Sequence, residues 1–428
     1  MNAFQRTGFI LGSACALTAL CASLAFAASG DLDVTFSGDG KMMTNFTNAF
    51  DGARAVAIQA DGKVVVAGGA SSTGVSGNFA LARYNANGTI DTTFSRNGRV
   101  TTNFTPGKDL ASAVAIQADG KIVAAGQARG TGRRFAMARY NPNGTLDTTF
   151  GVDGRVTTNF TAGLDSASGV VIQANGKIVA AGTAYADCGC SKFALARYNS
   201  DGTLDAAFGG DGKVMTNFRF GGHANGVALQ ANGKLVVAGS SSELARFAVA
   251  RYRADGTLDD TFDVDGKVTT RMGQGETAAT GVAIQANGKV VAVGYTDAPH
   301  EFGDTFGPGK FALARYRVDG TLDAGFAGDG RVTTRFGSSG AAANGVAIQG
   351  NGKIVAAGVA AGGRRFALAR YNTNGTRDTT FGGDGTVTTN FTAGEDLALG
   401  VALQAGRIVA AGHAAGSGGR FAVSRYLT

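Results

Sequence analysis

Short apolar runs recur along this chain, each closed by a polar, glycine-bearing turn. In the first full copy "AVAIQ" (55–59) meets "KVVVAG" (63–68) across "ADG". "FALARY" (79–84) follows, then the polar stretch "NANGTIDTTFSRNG", then "RVTTNF" (99–104). Asp-Gly or Asn-Gly between two apolar runs is a strong hairpin signal. That dipeptide recurs at 61–62, 119–120, 175–176, 232–233, 287–288 and 351–352. The seventh copy reads "QAGRI", which predicts a tighter or altered turn. β-Branched residues fill the first, second and fourth runs, and no helical period is sustained, so the unit is four strands, A to D. Strand C alternates large with small residues, as in Phe-Ala-Leu-Ala. Its sheet therefore needs cover on both faces, the small face nesting against the large face of the next sheet.

The pair Arg-Tyr marks the repeat, at 83–84, 139–140, 197–198, 251–252, 315–316, 370–371 and 425–426. Seven units of four antiparallel strands, covered on both faces, predict an all-β seven-bladed β-propeller. A β-solenoid would have shorter coils and atypical capping repeats. A transmembrane barrel needs strands of about 9–11 residues, longer than these runs.

The two ends fit one another. The stretch "GDLDVTFSGDGKMMTNF" (30–46) is the tail of a unit, a turn and a D strand without A, B or C. "GGRFAVSRYLT" (418–428) stops after a C strand. Residues 41–46 are expected to complete the last blade and close the ring, which removes two exposed sheet edges and brings Asp33 to Arg425. Ahead of them, residues 1–27 combine Arg6, an apolar run and Ala25-Phe26-Ala27, and read as a secretory signal peptide. A lipoprotein signal at Cys21 and an uncleaved anchor fit less well. The propeller is then expected over 28–428, outside the cytoplasm.

"YNxNGTLDxxFGxDGxVTTNF" followed by "GVAIQxDGKIVAAG" resembles the delta-60 repeat of secreted bacterial proteins, over nearly all of 30–428. The resemblance implies a β-propeller. It implies no common activity and no catalytic residues to carry over. The altered seventh turn and a long insert in the fifth copy depart from the pattern.

Composition narrows the function classes. With Gly 68 and Pro 4 the chain is neither collagen-like nor a proline-rich stalk. The net charge of +7 includes Arg6 and is spread without a basic block. That suits solubility and mild attraction to anions, not nucleic acid. Cys188 and Cys190 allow either a local disulfide or two thiols, and no zinc site.

Recurrent residues point to the scaffold and irregular ones to function. Arg83 and Asp91 head a pair that recurs in every unit and ends with Arg425 and Asp33. Strand order puts the D–A and B–C loops on one face, here called the top. His223 is expected in a D–A loop, His300 and His413 in B–C loops, and the longest such loop spans 295–310. Just before the strand-C Phe stand Arg134, Lys192, Arg246, Lys310, Arg365 and Arg420, and Asn78 in the remaining copy. Asp51, Asp109, Asp165, Glu276 and Asp396 are expected to face them, as rim salt bridges or as a charged ring for an anionic partner. The residues expected at the channel, such as Arg54, Ser112, Asn225 and Leu399, include no Asp, Glu, His or Cys, so a general base or metal cage is missing there. The reading is a non-catalytic, monomeric module binding a cell-surface glycan or protein through its top face, without cofactor. The alternative is a hydrolase or lyase built from the irregular top loops.

Overall fold

The computed structural model describes residues 27–74, 76–185, 189–242, 246–298, 309–416 and 418–428. Residues 1–26, which carry most of the expected signal peptide, lie outside that set. So do Cys188, His300 and most of the 295–310 loop.

Every regular element among the described residues is a β-strand, and the strands form seven sheets of four. Blade 1 is β2 (Phe50–Ile58), β3 (Val64–Ser71), β4 (Asn78–Tyr84) and β5 (Arg99–Thr102). Blades 2 to 6 repeat this order between Leu110 and Thr389. Blade 7 joins both ends of the chain: β26 (Asp396–Gln404), β27 (Arg407–Ala414) and β28 (Arg420–Leu427) are completed by β1 (Lys41–Thr44). Met42 sits opposite Val423, and Thr44 opposite Phe421. The ring is closed as the offset ends of the sequence predict.

Neighbouring blades nest as the large–small alternation requires. Phe79 and Leu81 of blade 1 pack on Ala136, Ala138 and Tyr140 of blade 2. At the seam, Phe421 and Val423 of blade 7 and Phe36 pack on Ala80, Ala82 and Tyr84. Each strand-C tyrosine hydroxyl also bonds a strand-D threonine of the preceding blade. Tyr140 reaches Thr102, Tyr252 reaches Thr216, and across the seam Tyr84 reaches Thr44, at 2.7–2.8 Å. In the seventh hairpin Ala405 and Gly406 both have positive φ (38° and 77°), a tight two-residue turn between the paired Gln404 and Arg407.

Strand A lines the axis, and it runs further than its apolar core suggests. In every blade a β-bulge interrupts its pairing with strand B, and pairing then resumes up to the rim. In blade 1, Ala53 pairs with Gly68 and Ala55 with Ala67, so Arg54 is the extra residue. The strand-B glycine facing the bulge is sterically fixed. A Cβ on Gly68 would lie 2.0 Å from the Gly52 carbonyl oxygen, and one on Gly182 equally close to that of Ser166. Gly182→Ala is therefore expected to cost about 3 kcal/mol. Gly350→Ala, with open space around the site, is expected to stay within about 0.5 kcal/mol. Urea unfolding midpoints of the two variants check this.

Candidate functional site

On the lower face the recurrent polar residues form one network per blade. Arg83 Nε donates to Asp91 Oδ2 at 2.8 Å, and Lys63 Nζ stands 3.3 Å from the same oxygen. The guanidinium lies 4.7 Å from the centre of the Phe94 ring, and its Nη1 donates to the Pro142 carbonyl of blade 2. At the seam Asp33 accepts from Arg425 Nε at 3.0 Å and Arg407 Nε at 2.7 Å. Arg425 donates on to the Ala86 carbonyl of blade 1. The arginine and aspartate of each network are buried and engaged with one another, so they join blades. On the same face Lys121, Arg139 and Asp201 also line a cavity of about 1040 Å3 at the channel.

The top face differs from the sequence expectation in two respects. First, Asp51, Asp109, Asp165 and Asp396 do not meet the rim cations. Each is fully buried and folds its own D–A turn. Asp51 accepts from the backbone N–H of Phe46 and Thr47 and from the Thr47 hydroxyl, at 2.6–2.8 Å, and Asp109 repeats this with Phe104 and Thr105. A carboxylate holding three such bonds has little left for an exposed cation. Second, His223 and His413 lie in strands, because A–B pairing continues above the bulge. His223 is in β14 (Gly222–Leu229), its Nε2 3.2 Å from Ser191 Oγ, and burial pushes its pKa down. His413 is in β27.

The six rim cations stand at the first or second residue of strand C, one in each of six blades, and so are spread around the ring and not clustered. Lys310 binds Asp297 at 2.8 Å. Among the described residues no acid lies in ion-pair range of Arg134, Lys192, Arg246, Arg365 or Arg420. Nε of Arg246 and of Arg420 is buried without a hydrogen-bond partner.

At the mouth of the channel, blades 7, 1 and 2 enclose a cleft of about 170 Å3. Equivalent positions of three successive blades supply Glu395, Phe50 and Lys108. Phe50 is 50% exposed. One side of its ring stacks on His413, with centroids 5.2 Å apart and planes inclined by 26°. Lys108 Nζ stands 6.0 Å from the same ring centre. His413 Nδ1 lies 3.2 Å from the Asp51 carbonyl oxygen, an acceptor, so Nδ1 carries the proton. A Cβ on Gly419 would come 2.2 Å from His413 Cε1, so the glycine makes room for the ring. Arg54, the bulge residue, lines the same cleft. Its side chain is open to solvent yet hemmed in by protein, and that partial desolvation lowers its pKa.

Sequence reading placed Arg54 at the channel but singled out none of Phe50, Arg54, Lys108 and Glu395 as a candidate. The available signal was positional: Arg54 is charged where the other blades carry Ser112, Ser168, Asn225, Thr280, Asn344 and Leu399. Among the described residues no three His, Cys, Asp or Glu side chains converge as metal ligands.

A family model described as a domain of unknown function (DUF5122) β-propeller matches residues 59–94, 117–150, 173–208, 230–262, 285–326 and 349–381, half of the chain. No match is found among curated proteins. Among solved structures, virginiamycin B lyase from Staphylococcus aureus is similar at a TM-score of 0.53 and 11% identity, over 90% of this chain and 98% of that one. The periplasmic gluconolactonase of Pseudomonas aeruginosa reaches 0.50 at 12% identity, over 88% and 96%. At such identities the likeness is one of fold.

Proposed function

We propose, from the premise that this chain belongs to the DUF5122 β-propeller family, that it is an extracytoplasmic, monomeric binding module whose top face holds an anionic glycan or protein surface. The observation that carries this reading is the set of rim cations without acid partners. Arg134, Arg365 and Arg420 stand at the start of strand C in three blades, and the top-face acids Asp109, Asp165 and Asp396 are buried in turns of their own. Cations held at fixed spacing on a rigid ring suit a repeating polyanion, with an attraction that salt weakens. On the lower face the recurrent arginines are each paired with a buried aspartate.

Retention on immobilised alginate, a polyuronate, against neutral dextran tests the reading. The protein is expected to bind alginate in low salt and elute as salt rises. The triple variant Arg134→Gln, Arg365→Gln, Arg420→Gln is expected to bind at least about tenfold more weakly. Equal retention on dextran, or an unaffected triple variant, overturns it. The second reading, a lyase or hydrolase, draws on His413 and Glu395 at the channel mouth. New reducing ends or unsaturated products from alginate would favour it.

A further inference from the structure

The structure assigns a second, more selective role to the channel-mouth cleft: we infer that it seats one carboxylate-bearing ring, with the ring face on Phe50 and the carboxylate at Arg54 and Lys108. This rests on the proposed binding role of the top face and gives it a point of recognition.

Three observations carry the assignment. The first is Arg54. At the bulge position three of the other polar residues tie neighbouring blades together. Asn225 donates to the Ala279 carbonyl and Asn344 to that of Ala398, both at 2.8 Å, and Thr280 donates to that of Ala343. Arg54 makes no hydrogen bond or ion pair among the described residues, so the scaffold does not use it. A cation kept in a confined channel mouth without a partner is arranged for an anion from outside.

The second is the pairing of Phe50 and Lys108. An aromatic ring half open to solvent, braced behind by His413, is a platform for the face of another ring. The Lys108 ammonium group stands over that ring, 6.0 Å from its centre, so a ring placed between the two meets the charge through its substituent. A cleft of about 170 Å3 is below the roughly 300–1,000 Å3 of sites for drug-sized ligands, and holds one ring.

The third is the free valence of His413. With Nδ1 donating to the Asp51 carbonyl, Nε2 is the ring nitrogen left for a ligand, and it has no partner among the described residues. Glu395 supplies an acceptor on the same rim. Polar partners beside two cations suit a carboxylate that also carries hydroxyl groups. The shared chemistry fits a hexuronate, free or ending a polysaccharide, and in its simpler half an aromatic carboxylate.

Isothermal titration of the full propeller with glucuronate, benzoate and glucose tests the assignment. Glucuronate is expected to bind, and glucose at least about tenfold more weakly, the loss of a charged hydrogen-bonded contact. Benzoate binding as tightly as glucuronate would retain the site and identify its ligand as an aromatic carboxylate. Arg54→Gln and Phe50→Ala, both at exposed side chains, are expected to weaken glucuronate at least about tenfold with thermal unfolding little changed. Absence of glucuronate and benzoate binding, glucose binding equally well, or unaffected variants would each overturn it. Alginate retention separates the two levels. Loss in the rim triple variant with no loss in Arg54→Gln removes the cleft and leaves the rim. Loss of retention by the unmodified protein removes the rim as well.

Discussion

Removal of residues 28–46 is expected to destabilise the propeller by more than about 5 kcal/mol and to drive it into oligomers. The segment contributes far more than one short strand. Phe36 is fully buried among residues of blades 7 and 1, and a buried phenylalanine contributes roughly 3–5 kcal/mol. Asp33 is the carboxylate that neutralises Arg425, and stranding such a cation costs about 3–5 kcal/mol more. The deletion also bares the β28 edge, a row of backbone donors and acceptors open to a second chain. Size-exclusion chromatography with light scattering and urea unfolding report the two effects. A synthetic 28–46 peptide added in trans is expected to restore the monomer. A truncated monomer with an unchanged unfolding midpoint would refute the closure energetics.

The second large effect is expected from a single proton's worth of charge. Asp259→Asn in blade 4 is expected to cost about 3–5 kcal/mol. Asp259 is almost completely buried and accepts from Arg251 at 2.6 Å, Lys234 at 2.7 Å and Thr261 at 2.8 Å. The amide leaves the Arg251 guanidinium, itself buried over Phe262, without its counter-charge. The double variant Arg251→Met, Asp259→Leu is expected to lose less than Asp259→Asn alone, because it removes both charges together. Acid acts on the same network. Burial works against the charged form of Asp33, but the Thr35 hydroxyl, Arg407 and Arg425 outweigh it and hold the pKa down to about 2. Asp91 and Asp378 are likewise held at about 2. A carboxyl group with a folded-state pKa below its unfolded value of about 3.8 stabilises the fold above that value. The contribution is lost as pH falls through the folded pKa. Stability is therefore expected to be level above pH 4 and to fall between about pH 4 and 2, less steeply in Asp33→Asn. Denaturation midpoints across that range give the profile.

The fold was legible because its signals repeat. One Asn-Gly or Asp-Gly between apolar runs suggests a hairpin, and six at a steady spacing, with a seventh turn altered, leave a propeller as the economical arrangement. The offset of 30–46 against 418–428 located the seam before any contact was known. The strand-B glycines were visible in every copy, but their reason was not. It depends on a bulge across the sheet, which no local pattern announces. The top-face acids misled for a similar cause. Asp51 and Arg420 look like partners by topology, yet Asp51 sits five residues from a backbone N–H that it reaches through a tight turn. Local geometry of that kind wins over distant charge. The cleft was obscured because Phe50, Lys108 and Glu395 differ in type while sharing a position. Only the closed ring brings blades 7, 1 and 2 to one opening.

The tyrosine–threonine bonds bear on how such a ring can change size. Each bond joins strand C of one blade to strand D of the blade before it, including across the seam from Tyr84 to Thr44. The stretch that repeats along the chain therefore carries half of two different joints and no complete one. Duplicating or losing one whole stretch anywhere leaves every joint with a matching half, and the same latch still shuts the circle. Copy number is thus free to drift by whole units, while the seam stays under constraint at a handful of residues near the two ends.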